Sequence, residues 1–315
     1  MAGAYLEFER PIAELETKIE ELSKLSPGAF DAEIDRLRAR ALEMRREAYG
    51  ALDAWQKVQV ARHPDRPHFS DYVAGLIEGF IELHGDRAFG DDQALIGGLG
   101  KFRGRPVLVI GHEKGRDTAT RVKHNFGYAR PEGYRKAIRL MELAERFGLP
   151  VVSFIDTAGA YPGVASEERG VAEAIARSIE TCLMLGVPNV AIITGEGGSG
   201  GAIAIAATNR VLILEHAIYS VIAPEGANSI LWRGARTGAD AAKAMKITAQ
   251  DLLEMKIVDR IVAEPVGGAH ADREGALALV GDALAEELAG LEGLSPEALR
   301  KARADRFYAI GRTLP

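Results

Sequence analysis

The sequence predicts an α/β layered fold built on a mostly parallel sheet, and three observations carry that expectation. Four short runs, Pro106–Ile110, Val151–Ile155, Val190–Ile193 and Val211–Leu214, are apolar, β-branched and continuous rather than alternating. That is the pattern of strands buried on both faces. Three of the runs pass into glycine-bearing loops, Gly111–Gly115, Asp156–Gly163 and Gly195–Gly201. Helix-compatible segments lie between them, so strand, loop and helix recur about every 40 residues.

The remaining elements follow in chain order. Residues 1–62 read as helical. Ile12, Leu15, Ile19 and Leu22 keep a 3–4 spacing, and Ile34, Leu37, Ala41, Met44 and Ala48 repeat it, with Ser26-Pro27-Gly28 as the breaker between. The expected form is a helical hairpin packed on the main domain; the sharper alternative is a docking arm for another subunit. His63-Pro64-Asp65-Arg66-Pro67-His68 blocks helix continuation with two prolines. The chain therefore divides into a helical N-terminal extension, residues 1–68, and a main domain, residues 69–315. His63 and His68 are expected to lie in a polar linker rather than to bind metal, because no carboxylate or cysteine accompanies them at ligand spacing. One helix starts at Pro131-Glu132 and stops at Gly148-Leu149-Pro150. A second starts near Ser166-Glu167-Glu168 and stops at Gly186-Val187-Pro188, with Val171, Ala174, Ile175, Cys182 and Leu185 on one face. Ala241 to Met255 reads as helix, and from about residue 272 the chain returns to helix rich in Ala, Leu and Glu.

Composition bounds the function. The 315 residues are 47% hydrophobic and 27% charged, which is globular rather than disordered. Basic residues number 39 and acidic residues 45, a net charge of −6, which makes nucleic acid an unlikely partner. The single cysteine, Cys182, excludes a disulfide framework or a Cys-rich zinc site within the chain. The opening residues carry neither the basic nor the apolar region of a signal peptide. No stretch approaches the ~20 apolar residues of a membrane span. A cytoplasmic protein away from membranes is expected.

Charge and glycine are both clustered. Residues 101–140 hold eleven Lys or Arg against three Asp or Glu, a local net of +8. This reads either as an anion site or as a solvated face, with Lys114, Arg116, Arg121, Lys123 and Arg130 concentrated in one loop. Residues 195–201 hold five glycines in seven. They follow a strand and precede the helix-compatible Ala202–Ala207. Glycines there let backbone approach a ligand closely, and the first N–H groups of a helix have no internal partner. Together they suit a resting anion or an oxyanion that develops during reaction. Gly195, Gly197 and Gly200 also satisfy a dinucleotide fingerprint with Glu215 as the ribose carboxylate, but the helix before Asn209 is too short for that unit. Asp156 reads as a turn cap ahead of a catalytic group. Glu167 and Glu168 read as complements to a helix dipole. No phosphate-binding P-loop and no nucleophile elbow is present. Lys246, in Ala244-Met245-Lys246-Ile247, approximates a biotinylation motif but falls in a helical stretch and reads as a surface lysine.

These residues carry a resemblance. Phe154-Ile155-Asp156-Thr157 with Gly159–Gly163, Glu167-Glu168-Arg169-Gly170, Gly195–Ala202, and Tyr219–Ile222 with Pro224-Glu225-Gly226 resemble the carboxyltransferase alpha subunits of bacterial acetyl-coenzyme A carboxylase. Phe8-Glu9 with Pro11–Glu16, Ala61–Pro64, Gly85–Arg87, Pro131–Ala137, and Glu264-Pro265 with Gly267–His270 extend it over nearly the whole chain. One departure is Ala158, where the family's loop has proline; the Gly159 and Ala160 amides stay in place.

The resemblance implies a crotonase-like fold, a spiral of ββα units, here with helical extensions at both ends. It implies an α2β2 assembly with a beta subunit that carries the zinc ribbon and mainly receives acetyl-CoA. The alpha subunit would mainly receive carboxybiotin from a separate biotin carboxyl carrier protein, itself loaded by biotin carboxylase, and the product would be malonyl-CoA for fatty acid synthesis. No metal and no covalently held cofactor is implied in this chain. Gly200 and Gly201 would present amides to the biotin ureido oxygen, Gly197 and Gly198 would shape the turn that aims them, and Gly159, Ala160 and Tyr161 would contact substrate. Gly201→Val is then expected to block carboxyl transfer and leave assembly intact. Three rivals stand beside this. They are a nucleotide-binding oxidoreductase, a self-sufficient crotonase-like hydratase, isomerase or other acyl-CoA carboxylase using Glu167, Glu168, Glu196 or Glu225, and a non-catalytic scaffold.

Overall fold

The computed structural model describes residues 5–25 and 30–312. The expected breaker at Ser26-Pro27-Gly28 lies outside the described residues. Eight strands among the described residues form one sheet: β1 (Ile77–Glu82), β2 (Leu95–Phe102), β3 (Arg105–His112), β4 (Val151–Thr157), β5 (Asn189–Gly198), β6 (Arg210–Leu214), β7 (Ile218–Ser220) and β8 (Arg260–Val262). Their order is β1-β2-β3-β4-β5-β6-β8, with β7 paired to β5 off that path. β1, β2 and β3 pair antiparallel, and from β3 onward every pairing between strands is parallel. The four apolar runs are β3 to β6, and their side chains fill the core.

β5 decides where the site falls. Its first half, Val190–Ile193, pairs with β6, and its last three residues, Glu196–Gly198, pair with β7. The segment expected as a glycine loop is therefore mostly strand, because β7 supplies a partner for its backbone. On the other side, β4 and β5 run in register to Ile155↔Ile193 and resume at Thr157↔Gly197. β5 thus spends four residues where β4 spends two, a bulge that moves everything beyond it.

The helices cover the sheet and extend the chain. α1 (Arg10–Leu25) and α2 (Asp31–Gly50) pack together through Ile12, Ile19, Ile34 and Ala41. α3 (Ala54–Ala61) is capped by Asp53, whose carboxylate accepts from Gln56 N at 2.8 Å. Its Val58 and Ala61 join Ile218, Ala242 and Ile247 in a small apolar cluster. The segment expected to be a polar linker is instead interior: His63, Arg66 and His68 are 4%, 2% and 5% exposed. The prolines stop the helix, but Arg66 is held by a bidentate pair to Glu264, 2.8 Å on each arm, and donates to Thr194 O. α4 (Phe69–Leu76) leads into β1 and packs on it, and α5 (Thr118–Lys123) follows β3 in the chain. α6 (Pro131–Phe147) starts at Pro131 and ends on Gly148 at φ 65°, as the stop and start signals predict.

The second predicted helix divides into α7 (Val164–Glu168) and α8 (Val171–Met184) at Gly170, whose φ of 76° no continuous helix accommodates. α9 (Ser199–Ile203) follows β5 directly, and α10 (Pro224–Trp232) follows β7. The stretch read as one helix from Ala241 to Met255 is α11 (Gly238–Met245) and α12 (Ala249–Glu254), parted where Ile247 O accepts from Tyr219 N. Lys246, at that break, is exposed and pairs with Asp251 at 3.3 Å. α13 (Arg273–Leu291) and α14 (Pro296–Ala309) close the fold. Arg303 locks α14 down: it is fully buried and donates to Leu183 O, Leu185 O, Asn189 Oδ1 and Asn209 Oδ1 between 2.6 and 3.1 Å.

Candidate active site

The parallel strands β3, β4 and β5 end together, and the glycine segments meet there backbone to backbone. A Cβ on Gly198 would sit on the Ala158 carbonyl. A Cβ on Gly201 would lie 2.6 Å from Gly159 C and 2.8 Å from Ala160 N. Glycine at 198 and 201 is what allows the two segments to touch. Gly200 is freer, its Cβ position facing the Ile175 side chain at 3.3 Å, while a Cβ on Gly197 would meet the Tyr219 ring at 2.8 Å. Ser199, at φ 49°, turns the chain from β5 into α9. Gly200 and Gly201 are the second and third residues of that helix, so their amides have no acceptor one turn back.

The first segment is braced rather than loose. Thr157 Oγ1 donates to Gly127 O at 2.7 Å and accepts from Gly159 N at 3.1 Å. Tyr161 N donates to Ala129 O, and the Arg130 guanidinium lies 4.9 Å over the Tyr161 ring. The Gly159 and Tyr161 amides are therefore spoken for within the chain. The Ala160 amide faces Gly201.

A chain of alternating charges runs beneath. Arg62 Nη1 reaches Glu225 at 2.6 Å and Arg62 Nε reaches Glu196 at 2.7 Å. Lys114 Nζ lies 3.0 Å from Glu196 and 2.6 Å from Asp156. Burial alone would raise the Glu196 pKa, but Lys114 and then Arg62 hold it below the usual carboxylate range. Burial alone would lower the Lys114 pKa, but Asp156 and Glu196 raise it, so it stays charged. Arg62, Lys114, Asp156 and Glu196 border a cavity of about 300 Å³ that also takes in His68, Arg121 and Phe126. Asp156 is thus not a local turn cap: it reaches the neighbouring strand, where its Oδ1 accepts from Glu196 N at 2.9 Å. Glu167 and Glu168 stand exposed on α7, apart from this group.

Sequence reasoning missed Arg62 and His112 as members of the site, and saw Lys114 only as one of the cations of a possible anion-binding loop, not as a partner of Asp156 and Glu196. The His112 ring is buried at the end of β3 against the backbone of Gly201 and Phe154. Burial first, and Lys114 second, push its pKa down to about 3, so it is neutral. The +8 of residues 101–140 is mostly structural. Lys136 is buried on Asp91 at 2.6 Å, Arg105 pairs with Glu292 at 2.8 Å, Arg103 with Asp282 and Arg116 with Asp71, and Arg139 donates to backbone carbonyls. Arg121, Lys123 and Arg130 have no carboxylate within ion-pair distance among the described residues.

Elsewhere, Glu9, His63 and His270 place ligand-type atoms within 4.8 Å of one another. They suit a metal poorly. The two imidazoles stack 3.8 Å apart at 18°, so their in-plane lone pairs do not converge, and Glu9 already accepts from Tyr49 Oη and Leu6 N at 2.7 Å. No helix among the described residues is long and apolar enough to cross a membrane.

The chain is similar to known proteins over nearly its whole length. The family described as acetyl co-enzyme A carboxylase carboxyltransferase-like matches residues 5–311. A protein of Phenylobacterium zucineum named acetyl-coenzyme A carboxylase carboxyl transferase subunit alpha is 78% identical over 99% of both chains. The protein of the same name from Methylobacterium nodulans is 63% identical, again over 99% of both. Among solved structures, the transcarboxylase 12S core gives a TM-score of 0.58 at 17% identity over 72% of this chain and 42% of its own. The beta subunit of Pseudomonas aeruginosa geranyl-CoA carboxylase gives 0.54 at 18% identity over 79% of this chain and 46% of its own. At such identities the likeness speaks to fold, and the fold is crotonase-like, as the sequence motifs imply.

Proposed function

The chain belongs to the family of acetyl-coenzyme A carboxylase carboxyltransferase alpha subunits, and from that premise we propose how its paired glycine segments serve the reaction. As an alpha subunit it is one part of a multi-subunit carboxyltransferase. We assign the Gly200 and Gly201 amides to the ureido oxygen of a carboxybiotin delivered by a biotin carboxyl carrier protein, itself charged by biotin carboxylase. Release of the carboxyl group as CO2 would leave negative charge on that oxygen; the biotin nitrogen would take a proton from the acetyl methyl group, and the resulting enolate carbon would bond to the CO2 carbon to give the malonyl product. The chain's own task is to hold fixed donors where that charge forms, away from water. The observation that carries the assignment is the backbone contact between Gly201 and Gly159–Ala160, which sets the first turn of α9 against a braced neighbour. Gly197 and Gly198 shape the approach to α9, and Gly159, Ala160 and Tyr161 border the substrate.

The beta subunit would complete an α2β2 enzyme, carry the zinc and receive most of acetyl-CoA; malonyl-CoA would be the product. This chain would hold no covalent cofactor and work in the cytoplasm. Residues 1–68 would serve as a helical N-terminal extension to a carboxyltransferase domain at 69–315, with C-terminal helices from about 272. The nucleotide-binding alternative loses its support, since Gly195 and Gly197 lie in β5 and α9 is five residues long. A self-sufficient hydratase needs free carboxylates, and Glu196 and Glu225 are both tied to Arg62. The test is sedimentation of the purified chain with its zinc-bearing partner, coupled to malonyl-CoA formation from carboxylated carrier. Co-sedimentation at equal stoichiometry with activity is expected. Turnover without any complex would overturn the assembly.

A further inference from the structure

The bulge in β5 is what places one glycine segment against the other, so whatever holds the bulge sets the geometry of the site. Between Ile155↔Ile193 and Thr157↔Gly197, Asp156 alone faces the surplus Thr194, Gly195 and Glu196. The Asp156 carboxylate fills that space. It accepts from Glu196 N at 2.9 Å, and a Cβ on Gly195 would come within 2.5 Å of its Oδ1. From below, Arg66 donates to Thr194 O at 2.8 and 3.1 Å. From above, Lys114 Nζ lies between the Asp156 and Glu196 carboxylates at 2.6 and 3.0 Å. Arg62 gives Glu196 a second cation but forms no pair with Asp156. Among the described residues, Lys114 is therefore the side chain whose charge joins the β4 end to the β5 end. Without it, two largely buried carboxylates, with side chains 7% and 11% exposed, would face each other across the seam. Like charges so placed push apart.

We propose that Lys114 is a positioning residue for carboxyl transfer: it clasps the β5 bulge to β4 and so fixes the offset between Ala158–Ala160 and Gly198–Gly201. This rests on the assignment of Gly200 and Gly201 as oxyanion donors. Lys114 need not touch the substrate. It acts by keeping the α9 amides where charge develops, and a displacement near 1 Å at such a site costs about 10²-fold in rate.

The test uses the complete complex with its partner subunit. Lys114→Met should lower kcat by about 10²-fold. KM for malonyl-CoA should stay within about twofold, because ground-state binding is not what the clasp serves. Lys114→Met combined with Glu196→Gln removes the opposed charges along with the cation. It should recover about tenfold of the lost kcat, since residues in one network couple. If the single variant fails to assemble, the double variant decides. A folded Lys114→Met complex with wild-type kcat, a rise in KM at constant kcat, or a double variant no faster than the single one would each overturn the proposal. The two readings separate cleanly. Full turnover by Gly201→Ala beside a slow Lys114→Met removes the oxyanion assignment and the positioning role that rests on it, and shows that Lys114 serves turnover by another route. A slow Gly201→Ala beside a fast Lys114→Met removes the positioning role and leaves the oxyanion assignment.

Discussion

Gly201→Ala adds one methyl group where the two glycine segments touch. The new Cβ would lie 2.6 Å from Gly159 C, 2.8 Å from Ala160 N and 3.1 Å from Gly159 Cα. All three are backbone atoms, so no flexible side chain can yield. To reach an ordinary contact near 3.4 Å, α9 or the 159–160 segment must retreat by about 0.8 Å. Overpacking of this kind costs about 1–3 kcal/mol of stability. Displacing an oxyanion donor costs more in function: loss of one such donor lowers kcat by about 10²–10³-fold, and a shift near 1 Å approaches the lower figure. The expectation is a kcat loss of about 10²-fold with the complex still assembled and KM little changed. The larger Gly201→Val, attractive from sequence alone, is the poorer probe, because its extra bulk at the same contact adds a folding defect to the functional one. Gly290→Ala is the control: it is exposed on α13 with nothing within 4 Å of its Cβ position, so wild-type activity is expected. The assay is steady-state malonyl-CoA decarboxylation with a melting curve on the same preparation. Wild-type turnover by a folded Gly201→Ala complex would refute the reasoning.

Three further outcomes follow from the packing. Glu264→Gln strands the buried Arg66 charge and should destabilise the chain by about 3–5 kcal/mol in chemical denaturation, and a loss below about 1 kcal/mol would show that the pair carries little. Burial would raise the Glu264 pKa, but Arg66 and then His216 bring it down to about 2. Its folded pKa lies below the unfolded one, so the stability it gives is whole above about pH 4.5 and is lost as pH falls toward 2; Glu264→Gln should flatten that window. His112 and His270 are both pushed down to about 3, mainly by burial, so they stay neutral in the fold while the unfolded chain protonates them near 6.5. Stability should therefore fall from pH 6.5 toward pH 4 by up to about 1.4 kcal/mol per pH unit for each, and His112→Phe should reduce that slope in denaturation curves. Arg303→Met leaves carbonyls at Leu183 and Leu185 without a donor and should free α14, read as faster amide exchange across residues 296–309 and a loss of more than about 2 kcal/mol.

What the sequence revealed depended on how local each signal was. β3 to β6 were legible because a strand buried on both faces must be apolar at every position. β1 and β2 were not: Glu78, Gly79 and Glu82 interrupt the first, and Gly97, Gly98 and Gly100 break any apolar run in the second, two of these glycines lying against β1 itself. β7 and β8 are three residues each, below any usable pattern. The helix start at Gly200–Gly201 was legible from glycine followed by an alanine-rich run. The strand character of Gly195–Gly198 was not, because it depends on pairing with β7. The charged chain left little local trace beyond Lys114 in its cationic loop: Arg62 and Lys114 reach Glu196 across 134 and 82 residues. The prolines at 64 and 67 correctly ended a helix, yet Arg66 between them meets Glu264 from 198 residues away, and that single pair turns an apparent linker into interior.

The claim at the centre is that this chain holds half of an active site. The most direct measurement is the reverse reaction, malonyl-CoA decarboxylation in the presence of a free biotin derivative, with this chain alone, with the beta subunit alone, and with both. Turnover only with both, and its loss in Gly201→Ala, is the predicted result. Turnover by this chain alone would contradict the split site and point to a self-sufficient enzyme.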